Sequence, residues 1–290
     1  MKLLTLAIAA TLVASPAFAD STSSASLGPM TMQLFDLDPS DGVTPSITFL
    51  PFVPPYSGSI TFAAASFYDP FSAPTGQSQR NYAATPWNPV AASQSTLVAG
   101  AAASLTGSTP FNPNNALLSA SGRSITPVSA NPDLAVGYDA HVGFAGQSNF
   151  TLSANTMMTL SATAAVSAWA QAGNSALHHH DEAFASVVLA ISGPGPSGGG
   201  GQYTVGQLDI LLQLFAGDGP QSFSDSKNFG LSFVNLTSGN LTGGIEADVY
   251  VSGSSPSTPL PLPVPEPEAY AMLLAGLGLL GFVARWRKAK

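Results

Sequence analysis

The sequence predicts an all-β protein: a β-sandwich or jelly-roll-like body held between two apolar terminal segments. Three observations carry that prediction. Apolar and polar residues alternate with period two in many short runs, the pattern of half-buried strands. Turn-forming pairs rich in proline, glycine and asparagine separate those runs. Charged residues make up only 8% of the chain, so its polar faces must be built from Ser, Thr, Asn and Gln.

At the N-terminus, Met1-Lys2 leads into an apolar run over residues 3–14 and then into Ala17-Phe18-Ala19. A charged start, a short hydrophobic core and a small-x-small site make a secretory signal peptide over residues 1–19. Ala17 and Ala19 mark its cleavage site, and Asp20 then begins the mature chain. The apolar core is too short for a membrane span. The body is therefore expected to be exported by the Sec machinery.

Residues 20–252 form the β-rich exported domain. Ser46-Ile47-Thr48-Phe49 and Ser59-Ile60-Thr61-Phe62 open the alternation. Over 158–169, Met158, Leu160, Ala162 and Ala164 face one way while Thr159, Ser161 and Thr163 face the other. Val187, Leu189 and Ile191 alternate with Ser186, Val188 and Ala190. Ile245, Ala247, Val249 and Val251 alternate with Glu246, Asp248, Tyr250 and Ser252. Pro54-Pro55, Ala73-Pro74, Asn112-Pro113, Asn131-Pro132 and Gly239-Asn240 are breakers. Around Thr204 two periods compete: Leu208, Leu211, Leu212 and Phe215 fit a helical face, whereas Leu208, Ile210, Leu212 and Leu214 fit a strand. The surroundings favour the strand. The glycine-rich run 193–201 reads either as a hinge between two halves or as a long hairpin loop within one domain.

Charge and cysteine narrow the function classes. Only Arg80, Arg123 and Lys227 are basic in the body, against fourteen acids between Asp20 and Asp248. Such a surface repels nucleic acid, so no nucleic-acid partner is expected. The chain has no cysteine, which removes disulfides, thiol catalysis and zinc-thiolate sites. No cofactor is expected.

The candidate chemical motifs are weak. Gly195-Pro196-Ser197-Gly198-Gly199 matches G-x-S-x-G, but a glycine run follows where a hydrolase elbow needs a helix. His178-His179-His180-Asp181-Glu182 is the one cluster of metal-ligand types, without HExxH spacing, and reads as a solvated loop. Asp36, Asp38, Ser40, Asp41 and Gly42 resemble the start of a calcium loop; the glycine falls one place late, and Ile47 stands where a bidentate Glu belongs. Asp218 and Asp225 are further calcium-ligand types. Phe67-Tyr68, Phe71, Tyr82 and Trp87 are aromatics that either stack on sugars or pack a core. Asn149, Asn235 and Asn240 head N-x-T triplets and read as turn residues. Nothing in the sequence brings two carboxylates together, and no enzyme is expected.

Residues 253–263 are Ser- and Pro-rich and read as a stalk. Val264-Pro265-Glu266-Pro267 follows, then an uncharged apolar span over 269–284, then Arg285-Trp286-Arg287-Lys288-Ala289-Lys290. As a helix the span would be about 24 Å long, short for a bilayer core of about 30 Å but extendable by Trp286 and the basic side chains. Arg285, Arg287, Lys288 and Lys290 hold their end in the cytoplasm and leave the body outside. The two prolines display Glu266 on stiff extended backbone. This order, over 264–290 only, resembles the PEP-CTERM sorting signal of bacterial exported proteins. Trp286 interrupts the usual arginine cluster. The resemblance implies transient inner-membrane anchoring and processing by the membrane enzyme exosortase near Pro265-Glu266-Pro267. It also implies delivery to the cell surface or an extracellular matrix, with polysaccharide and biofilm as the setting. The alternatives are a secreted polysaccharide-binding or polysaccharide-degrading protein, and a permanently anchored surface protein.

Overall fold

The computed structural model describes residues 21–51, 59–68, 75–83, 85–125, 128–129, 135–144, 148–171, 181–214, 219–256 and 258–259. Among these residues, all helical or extended regular structure is strand.

The strands form two antiparallel sheets. Sheet A runs β15 (Gln221–Asn235), β12 (Thr156–Ala170), β1 (Ser21–Leu27), β8 (Leu117–Ser124), β7 (Ala99–Thr106) and β6 (Val90–Ser95). β2 (Thr31–Asp36) pairs with the first half of β12 while β1 pairs with the second. Sheet B runs β14 (Gly201–Leu214), β13 (Asp181–Pro194), β16 (Leu241–Pro256), β10 (Ala135–Phe144), β4 (Ser59–Tyr68) and β5 (Thr75–Ala83). β11 (Ser148–Leu152) continues the line of β10 along β16 and carries β3 (Ile47–Phe49) on its other side. The two-residue strands β9 (Val128–Ser129) and β17 (Thr258–Pro259) lie outside both sheets.

The period-two pattern decides which face is buried. On β12 the inward set Met158, Leu160, Ala162, Ala164, Val166 and Ala168 is buried, and on β16 the set Ile245, Ala247, Val249 and Val251 is fully so. The two inward faces make one continuous core, so the body is a sandwich. The ambiguous segment near Thr204 is strand β14, with Ile210 and Leu214 buried. The glycine run turns the β13–β14 hairpin, Pro194 pairing with Gly201, inside a unit that extends from Met1 to Thr258. β16 continues to Pro256, and Ser255 is fully buried, so the first residues of the expected stalk lie in the sheet.

The core changes character along its length. At one end Phe49, Trp87, Phe150 and Phe233 make edge-on ring contacts, with centroids 5.2–6.2 Å apart. Trp87 is fully buried at φ 63°, a left-handed conformation that a bulky residue adopts only where packing imposes it. Ser108 donates to its carbonyl at 2.7 Å. At the other end the residues are small and polar. Ser21, Ser124 and Ser255 join their hydroxyls at 2.7 and 2.8 Å, and Tyr138 meets Ser23 at 2.8 Å. These buried hydroxyls satisfy one another, which removes most of the cost of burying them.

Side-chain amides join the sheets where strand edges meet. At one edge the Gln79 side chain of β5 accepts the Ser93 N–H of β6 at 3.0 Å, and Asn81 donates to the Ala91 carbonyl. At the other edge Gln202 of β14 bridges to Val234 of β15.

Candidate functional site: a hydroxyl-lined groove

Many outward residues of sheet A are small and hydroxylated, most densely on β1 and β8. The strand registers align them in rows. One row crosses six strands as Ser224, Ser167, Ser24, Ser121, Ala102 and Ser93. The next runs Ser226, Ala165, Ser26, Ser119, Ser104 and Ala91. Ser24 and Ser167 bond across strands at 2.8 Å, and Ser104 and Ser119 at 2.9 Å. With neighbouring strands about 4.8 Å apart, such a row spans about 24 Å.

A groove of about 610 Å³ lies across this face. Its outward lining includes Thr22, Ser24, Ser93, Ser95, Ser121 and Ser167, with Gln77 from β5. Among the described residues Arg123 is its single charged residue, and no carboxylate or histidine lines it. Arg123 stands between Thr22 and Gly100, and the absent side chain at Gly100 leaves the guanidinium room. Chemically this is a bed of hydrogen-bond donors and acceptors with one cation. It suits a polyhydroxylated ligand rather than an apolar one.

The outer face of sheet B is different. Register places Arg80, Phe62, His141, Tyr250, Ser186 and Asp209 in one row. Arg80 lies 5.2 Å above the Phe62 ring. His141 is hydrogen-bonded to Asp248, which reaches it across the open space at Gly143. Tyr250 donates to Asp139 at 2.9 Å. Burial lowers the His141 pKa, but the hydrogen bond and charge of Asp248 outweigh it and leave the imidazole above its ordinary value. Burial raises Asp139, with the Tyr250 bond and His141 opposing. Burial likewise raises Tyr250.

The motifs singled out in the sequence do not converge. The G-x-S-x-G match sits at the tip of the β13–β14 hairpin, where Gly198 N–H donates to the Gly195 carbonyl at 2.8 Å; no helix follows. The acids of residues 36–41 cap their own loop: Asp36 accepts from Asp38 N–H, Asp38 from Ser40 N–H, and Asp41 from Val43 N–H and Asn155. Asp225 caps Ser226. Among the described residues no group of three His, Asp or Glu is placed to hold a metal. Of the aromatics, Tyr82 is exposed, but Trp87 belongs to the core and is not a sugar platform. Asn235 is a buried knot: its amide donates to the carbonyls of Leu152, Ser153 and Gly239 and accepts from Thr237. Asn149 is exposed on β11, and Asn240 stands in the turn before β16.

Several predicted positions lie outside the described residues. These are Ala17 and Ala19, His178-His179-His180, Phe71, Asp218, the motif Val264-Pro265-Glu266-Pro267, the span 269–284 and the basic residues Arg285, Arg287, Lys288 and Lys290. Among the described residues no helix is long and apolar enough to cross a membrane. The groove itself was not located from sequence. Its signal was present as Thr22-x-Ser24-x-Ser26 and Ser119-x-Ser121-x-Arg123, period-two polar runs on strands whose inward residues are too small to advertise a strand.

No curated protein matches the chain. Residues 263–288 match the PEP-CTERM protein-sorting motif, so the resemblance is confined to the tag. That tag implies an exported protein, transiently membrane-anchored and sorted by exosortase; the chain is an all-β sandwich that carries a C-terminal PEP-CTERM sorting motif.

Proposed function

We propose that this is a non-enzymatic surface or matrix protein whose sandwich holds extracellular polysaccharide in the groove of sheet A. The observation that carries the reading is the groove lining, which among the described residues consists of hydroxyls and amides on a sheet with one guanidinium. Ser and Thr hydroxyls exchange hydrogen bonds with sugar hydroxyls, and the forked N–H groups of Arg123 donate to a sugar carboxylate. Each contact is weak alone, and a repeating polymer sums them. The tag delivers the body to the compartment where such polymers are met.

Affinity electrophoresis through gels containing the host's own extracellular polysaccharide tests this. The wild type is expected to be retarded. Ser121→Leu, which fills the groove floor, and Arg123→Ala should each migrate faster, while Tyr82→Ala on sheet B should not. A protein that the polymer never retards would overturn the reading, as would equal losses from both faces.

A further inference from the structure

β15 is the outer strand of sheet A, and residues 221–228 are exposed at every position. Among the described residues no strand pairs with its free edge there. Farther along, β14 comes against β15, where Gly206 meets Phe229 and Gln202 meets Val234. The N–H of Ser226 bonds to the adjacent Asp225 carboxylate at 2.7 Å, a local cap where a ladder partner would sit. Open strand edges recruit further strands unless charge opposes it.

The charges on this edge match themselves. Lys227 is one of three basic residues in the exported body and forms no ion pair among the described residues. Asp225 stands two positions away, on the same side of the strand. Let a second β15 approach antiparallel, with outer face beside outer face. Opposed residues must then share a face, so the sum of their numbers is even. Centring on Asp225 sets carboxylate against carboxylate. Centring on Ser224 sets Phe223 against Asp225. Centring on Ser226 sets Asp225 against Lys227 of the second copy, and Lys227 against its Asp225, so one register gives two ion pairs. A lone edge lysine would repel any incoming strand; an Asp-x-Lys edge repels most strands and accepts its own.

We propose that residues 221–228 of β15 form a self-association site, where a second copy of this chain adds its β15 antiparallel about Ser226. The ladder is short, which makes the dimer reversible. It joins the two serine faces into one longer surface. The inference rests on the edge and its charges, independently of what the groove binds.

The cysteine-free chain makes the test direct. In the full chain, Ser226→Cys is treated with a short bis-maleimide and compared with Ser78→Cys on β5. Ser226→Cys should cross-link into dimers at least about tenfold faster, because the register sets the two residues about 5.5 Å apart at Cα. Adding Asp225→Lys should abolish that advantage, and Asp225→Lys with Lys227→Asp should restore it. Equal rates at the two cysteines overturn the proposal. So does cross-linking indifferent to Asp225→Lys, or a double exchange that fails to restore it.

Discussion

Gln202 pairs with Val234 as though it were a strand. Its side-chain Nε2 donates to the Val234 carbonyl at 2.9 Å, and its Oε1 accepts the Val234 N–H at 3.1 Å. Gln202 belongs to sheet B and Val234 to sheet A, so one amide reproduces a ladder pair between two sheets, and just beyond β15 the Leu236 N–H donates to the Pro196 carbonyl of the β13–β14 turn at 2.8 Å. Gln79 makes a comparable contact at the opposite edge. Gln202→Leu should leave both Val234 groups without that partner and destabilise the fold by about 1–3 kcal/mol. Denaturant unfolding checks this, and an unchanged midpoint would show that the edge contributes nothing.

Asn235 bears more. It is fully buried and links the β11–β12 corner to the turn that follows β15. Asn235→Ala should cost about 3 kcal/mol or more, since the carbonyls of buried Leu152 and Ser153 lose this donor together. Asn235→Asp should cost at least as much, because a carboxylate would face the carbonyls of Leu152, Ser153 and Gly239. A thermal melt of the pair separates lost hydrogen bonding from lost shape.

Gly122 and Tyr138 test the packing of the small-residue end. A methyl group at Gly122 would lie 1.9 Å from the Tyr138 ring, which is buried between the sheets. Gly122→Ala should therefore destabilise by about 1–3 kcal/mol or more. Tyr138→Phe should cost about 1–2 kcal/mol, because the ring stays and only the hydroxyl's bonding to Ser23 and Ser21 is lost.

His141 gives the fold a pH dependence. A histidine whose pKa is raised in the folded state binds its proton more tightly there. Its stabilisation is complete below the unfolded value of about 6.5 and is lost as pH rises through the folded value. Asp139, also raised, acts with the same sign at lower pH. Stability should fall from mild acid towards alkaline pH, and His141→Gln should flatten the part of that slope above about pH 6.5. Unfolding curves at a series of pH values measure both.

The fold was largely legible because its longest strands bury one clean face. Met158, Leu160, Val187, Leu189, Val249 and Val251 announce β12, β13 and β16 by alternation alone. β1 and β8 were missed for the opposite reason. Their inward residues include Ser21, Ser23, Gly122 and Ser124, and only the partner strands reveal that these hydroxyls are satisfied. The groove follows from the same cause, since it exists only once the registers set serines of distant sequence side by side. Trp87 read more readily as a core or loop-pinning residue than as a sugar platform, and its partner in the core is Phe49, far off in sequence. The tag was legible because its information is local: a proline-rich motif, an apolar span and a basic end, in order.

Exosortase sorting fixes the mass of the surface-located protein. Its mature C-terminus should lie at or near Pro265-Glu266-Pro267, with the apolar span and basic end removed. Surface material that still ends in Lys290 would contradict it.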